Sequence, residues 1–124
     1  AKGERTQKEK DPDIDIKIDA FLPASYIEDE SERVSLYKRM NLLASKEDKM
    51  KLMEEVRDRF GAFPPETENL FLIMDLRISA KERSVEKIRR KADIVTVDMS
   101  GTKKYINVKG LSGADLVERI KSSL

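Results

Sequence analysis

Neither histidine nor cysteine occurs among the 124 residues. Thiolate chemistry, a disulfide framework and imidazole acid–base work near neutral pH are thereby ruled out. What remains is carboxylates, amines, guanidinium groups and hydroxyls. The acids stand in runs such as Glu28-Asp29-Glu30 and Glu54-Glu55, the pattern of solvated helix faces. Acid–base work by two carboxylates needs one with a raised pKa, and nothing in those runs supplies it. Serines have no histidine base, and none is marked by its context as half of a Ser–Lys pair. Asp13, Asp15 and Asp19 are hard-cation ligand types, but they alternate with isoleucines, which reads as the wet side of a strand. Gly101, Gly110 and Gly113 lack the spacing and lysine of a phosphate loop. The sequence predicts no catalytic residue, no metal ligand and no cofactor-binding residue in this chain.

Two charged features are left. The stretch Lys81, Arg83, Lys87, Arg89, Arg90, Lys91 holds six basic residues against two acidic ones and could meet phosphates or an acidic protein surface. The acids Glu54, Glu55, Asp58, Glu66 and Glu68 flank a turn at the middle of the chain and could dock on basic groups of a partner. Both also fit ordinary solvated charge. Lys and Arg number 25 against 24 Asp and Glu, a net +1. That balance argues against a dedicated nucleic-acid-binding domain, though a local basic strip is compatible with it.

The elements that must position these charges follow from periodicity. With 39% hydrophobic and 40% charged residues, one modest core and a strongly hydrated exterior are expected. Residues 1–12 read as a flexible arm or linker remnant and 13–124 as a single domain. A start without methionine on a polar arm suits a piece of a longer protein, and no apolar stretch forms a signal peptide or a membrane span. Ile14, Ile16 and Ile18 alternate with charges as a half-buried strand. A first helix starts near Asp29 to Ser31, with Asp29 and Ser31 as competing caps. It turns Leu36, Tyr37, Met40, Leu43 and Ala44 inward. Ser45 and Asp48 have capping-box spacing and open a second helix with an apolar stripe of Met50, Met53, Val56 and Phe60.

Gly61 ends that helix, and Pro64-Pro65 opens the third, so Phe60, Gly61, Pro64 and Pro65 form a structural turn. Phe60, if fully buried, is worth about 3–5 kcal/mol to the core. From Leu70 to Ile78 the chain is nearly all apolar, which makes helix 65–82 the buried centre. A short strand at Val85 and Ile88 follows. Residues 94–99 and 104–108 read as a hairpin around Ser100-Gly101-Thr102. Ser112 and Asp115 then cap a last helix with Leu116, Val117 and Ile120 inward. The fold class is α+β: a small mainly antiparallel sheet packed with about four helices.

Three blocks of sequence say more. Asp19-Ala20-Phe21-Leu22-Pro23 with Tyr26-Ile27, then Arg33-Val34-Ser35-Leu36-Tyr37-Lys38-Arg39, then Arg57-Asp58-Arg59-Phe60-Gly61 with Pro64-Pro65-Glu66 resemble, in order and spacing, the C-terminal domain of the bacterial transcription-repair coupling factor. A fourth similar block ends at Ile88, where Ser84 stands in place of the family's glycine. The resemblance covers about residues 13 to 90, and the hairpin and last helix agree in layout alone.

The resemblance implies a cytoplasmic bacterial parent, an ATP-dependent DNA translocase that displaces stalled RNA polymerase at lesions and recruits nucleotide-excision repair. ATP and Mg would belong to its motor, outside this chain, and its partners would be the polymerase, the excision-repair damage-recognition protein and double-stranded DNA. It implies that this domain has no activity of its own and docks on the parent's N-terminal repair-factor-binding domain, masking it through acidic side chains. The alternative is an accessory domain contacting nucleic acid through 81–91.

Overall fold

The computed structural model describes residues 11–124. The order is β1 (Asp13–Asp15), α1 (Glu30–Asn41), α2 (Lys46–Phe60), α3 (Pro65–Glu82), β2 (Val85–Lys91), β3 (Ile94–Met99), β4 (Thr102–Asn107) and α4 (Gly113–Ser123). This is the expected α+β class. The third helix agrees with its predicted ends, and as the buried central helix it turns Leu70, Phe71, Met74, Leu76, Ile78 and Ala80 away from water. The described chain divides into two compact units, one of residues 18–78 and one combining the N-terminal strand with residues 79–124. The predicted arm falls largely on residues 1–10, outside the described residues; Pro12, at its end, is buried.

In the unit 18–78, α1 begins where Asp29 Oδ1 accepts from the Ser31 N–H at 2.9 Å and from the Ser31 hydroxyl at 2.8 Å. Asp29 is therefore the cap, and Ser31 is its donor rather than its rival. Those bonds, the hydroxyl's first, hold the Asp29 carboxyl below its usual range. Ser45 caps α2 through the Asp48 N–H at 3.1 Å, as its spacing predicts. The α2 stripe needs correction. Leu52 and Val56 are its buried residues, while Met50 is 51% exposed. Val56 lies in both the expected and the observed stripe; Leu52 joins it in the core, Met53 and Phe60 pack half-buried beside them, and only Met50 falls outside. Leu22, Ile27, Leu36, Met40, Leu52, Val56, Leu70, Phe71 and Met74 form one core, with Tyr37, Leu43, Met53 and Phe60 half-buried against it. Ala44 lies past the end of α1 and is exposed.

In the other unit the strand order is β1-β2-β3-β4, with β1 parallel to β2 and the remaining pairs antiparallel. The first strand is shorter than its isoleucine alternation predicts. Lys17 has φ 59°, a left-handed backbone that ends extended structure. Residues 19–21 instead bond to the N-terminal part of α3: Asn69 Nδ2 donates to Asp19 O, Phe21 N to Glu66 O, and Thr67 Oγ1 to Phe21 O. β2, expected as a short strand, is a seven-residue one. The hairpin turn is the two residues Ser100-Gly101, both at positive φ, and Thr102 opens β4. Ser112 precedes α4 but makes no side-chain capping bond, so the last capping box does not form. Leu116, Val117 and Ile120 are fully buried, and Arg119 Nε donates to Asn107 O, tying α4 to β4.

Candidate functional surfaces

The central turn is fastened by its own aromatic and basic side chains. Gly61 closes α2 through an N–H bond to Arg57 O at 2.9 Å, with φ 94° and ψ −169°, a region open almost to glycine alone. Pro64 O accepts from the Thr67 and Glu68 N–H groups at 3.0 Å, which satisfies two donors at the start of α3. Tyr26 Oη donates to Gly61 O at 2.6 Å, and its ring meets Phe60 and Phe63 edge-on. Burial pushes the Tyr26 hydroxyl pKa up against the opposing pull of the Arg57 charge. The Arg57 guanidinium lies 4.7 Å from the Phe63 ring centre, and that of Arg59 lies 4.7 Å from Phe60. Phe60 is half-buried, so its loss should cost less than the fully buried case expected from sequence.

Of the five acids singled out by sequence, Glu55 is already committed. Both its carboxylate oxygens accept from Arg39, at 2.6 and 2.7 Å, and Arg59 lies within 4.0 Å. The Arg39 bonds hold the Glu55 carboxyl below its usual range and raise Arg39. Arg59 continues the network to Glu32 at 3.1 Å. Glu54 and Asp58 are exposed one helical turn apart on α2 and form no ion pair among the described residues. Glu66 is half-buried and Glu68 exposed in the first turn of α3. An acid that sequence did not single out, Asp75, is 5% exposed and pairs with Lys49 at 3.2 Å and Lys46 at 3.6 Å. Its burial among apolar residues of α3 was the only signal available.

The basic stretch separates into distinct parts. Lys81 pairs with Asp11 at 3.2 Å. Arg83 is exposed just past the end of α3. Arg90 points along the buried parity of β2 and donates to Ala92 O and Leu111 O, a structural role. Lys87, Arg89 and Lys91 share the opposite face of the sheet. Among the described residues no group of three or more His, Cys, Asp or Glu side chains could hold a metal ion, and no helix is long and apolar enough to cross a membrane.

A profile of the TRCF domain matches residues 16–111. The chain is 35% identical over 100 residues to the transcription-repair-coupling factor of Bacillus subtilis, covering 80% of this chain and 8% of that protein. It is 31% identical over 98 residues to that of Staphylococcus haemolyticus and 24% over 116 residues to that of Borreliella burgdorferi. The chain thus spans about a tenth or less of the length of these relatives. The crystal structure of the C-terminal domain of transcription-repair coupling factor superposes with a TM-score of 0.85 at 18% identity. That match covers 92% of this chain and 89% of the other.

Proposed function

The chain belongs to the TRCF domain family, and from that premise we propose that it is a docking module, without an activity of its own, in a transcription-repair coupling factor. In this reading the parent is an ATP-dependent DNA translocase of the bacterial cytoplasm, with ATP and Mg at a motor outside this chain. It acts on stalled RNA polymerase and double-stranded DNA and recruits excision repair. This domain holds the parent's N-terminal repair-factor-binding domain closed until the motor engages.

The observation that carries the reading is the division of the acids on α2. Glu55 is locked by Arg39 and Arg59, whereas Glu54 and Asp58, one turn apart on the same helix, stay exposed and without an ion pair among the described residues. Like charges at that spacing cost a few tenths of a kcal/mol, a cost that basic groups of a partner would reverse. The helix that carries them is anchored at both ends, by the Ser45 cap and by the Gly61 turn, so little ordering is needed on docking. Interfaces within a chain are more polar than obligate ones, which suits such a contact.

Titrating the chain calorimetrically into the separately purified N-terminal domain, at low and moderate salt, tests this. Salt-weakened binding that is lost in Glu54→Lys/Asp58→Lys, with the fold intact, is the expected result. Failure to bind even when the two domains are joined by a flexible linker would overturn it.

A further inference from the structure

The face of the sheet turned away from its buried residues carries a row of cations and an exposed tyrosine. Register places Lys87 opposite Asp98, Arg89 opposite Thr96 and Lys91 opposite Ile94 on β2 and β3. On β4, Lys103, Tyr105 and Asn107 stand opposite Asp98, Thr96 and Ile94. The alternate positions Ile88, Val95, Val97 and Ile106 are buried, so these nine residues share the outer face. Tyr105 is 66% exposed and Ile94 39%. Lys103 neutralises Asp98 at 3.0 Å. Lys87, Arg89 and Lys91 form no ion pair among the described residues, leaving a column of three cations. Asp13 and Asp15 of β1 border that column on its far side.

We infer that this face, from the Lys87–Arg89–Lys91 column to Tyr105, binds single-stranded nucleic acid. A tyrosine lying open on a sheet is a stacking platform for an unpaired base, and a parallel row of cations is a track for the phosphates. Arg89 and Tyr105 stand two strands apart, about 10 Å, with only Thr96 between them. Asp13 and Asp15, beside Lys87 and Arg89, disfavour phosphate on the β1 side and weaken the pull of those two cations, which leaves Lys91 and the β3 side as the more favourable part of the track.

Other occupants fit less well. Three strands of six or seven residues and the three-residue β1 give a footprint of roughly 350 Å², less than half of the ~800 Å² per partner of a standard interface. A second copy is therefore poorly served. The inference is independent of the docking proposed for α2.

Fluorescence anisotropy of the whole 124-residue chain with a labelled oligothymidylate of about 12 nucleotides tests it. Three phosphate contacts predict a log–log salt slope near −2, or about a 20-fold loss from about 50 to about 200 mM salt. Tyr105→Ala should weaken binding by about 5- to 150-fold, while Tyr105→Phe, which keeps the ring, retains it. The pair Arg89→Gln/Lys91→Gln should reduce the slope by about 1.4, and Lys38→Gln on α1 should change nothing. Melting curves confirm that each variant is folded. No anisotropy change up to about millimolar chain, a range set by weak non-specific binding, overturns the inference. So does binding indifferent to Tyr105→Ala, or a labelled oligoglutamate peptide that displaces the oligonucleotide and binds more tightly, which would assign the face to an acidic protein partner.

Discussion

The central turn and the outer face of β2 use their cations in opposite ways. Around the central turn, Arg57 lies on Phe63, Arg59 on Phe60, and Arg39 and Arg59 converge on Glu55. Those guanidinium groups serve the fold. On the outer face of the sheet, Lys87, Arg89 and Lys91 stand in register on one strand and form no ion pair among the described residues. Counting charges along the chain puts a motif rich in arginine and a stretch rich in lysine and arginine on the same footing. Their partners tell them apart: a committed cation contributes stability, and a free one in an ordered row can contribute binding.

If that contrast is right, breaking the helical core should be the most damaging change, and its effect should be on stability alone. Phe71 is 2% exposed and lies 5.1 Å from Phe63, centre to centre. Phe71→Ala is expected to cost about 3–5 kcal/mol, read as a fall in the denaturation midpoint, with the unfolding slope showing whether the chain still melts in one transition.

The turn comes next. A Cβ added at Gly61 would meet nothing within 4 Å, so Gly61→Ala isolates backbone strain from crowding and should cost about 1–3 kcal/mol. A smaller loss would mean that the turn relaxes, and the anchoring of α2 argued above would weaken with it.

Caps sharpen the comparison. Ser45 accepts from the Asp48 N–H, whereas Ser112 makes no side-chain capping bond. Ser45→Ala should cost about 1 kcal/mol and Ser112→Ala much less, although both serines have the same position and spacing in sequence. Thermal melts of the two variants side by side decide it.

That pair also shows what was legible beforehand. Helix α3 could be read end to end because Pro64-Pro65 and the run Leu70–Ile78 are local signals. The hairpin strands were legible for the same reason, although the turn is shorter than expected and Thr102 already opens β4. The ends of β1 were not, because its alternation continues through Lys17 while the backbone there turns left-handed. Nor was the division of the candidate surfaces. Glu55 meets Arg39 from 16 residues away, and Arg90 reaches Leu111 O across 21. No spacing rule encodes such pairings, so committed Glu55 and free Glu54 look alike in sequence.

The smallest effect tests that last distinction. Glu55 sits in a half-exposed, bidentate pair with Arg39, for which about 0.2–1 kcal/mol is expected. The hydrogen bonds from Arg39, aided by the Arg39 and Arg59 charges, hold its carboxyl below the ordinary 4.5. A depressed carboxyl pKa means that the unfolded chain takes up the proton first as the solution is acidified. The pair's contribution is therefore complete above the ordinary value and is lost as pH falls through the lower, folded one. The stability difference between the parent chain and Glu55→Gln should be present at neutral pH, shrink with salt, and close in acid below the ordinary carboxylate range. Glu54→Gln should show no such loss, since removing a like charge one turn from Asp58 relieves repulsion. Equal behaviour of the two variants across pH would erase the difference between committed and free acids on α2, and with it the ground for assigning docking to Glu54 and Asp58.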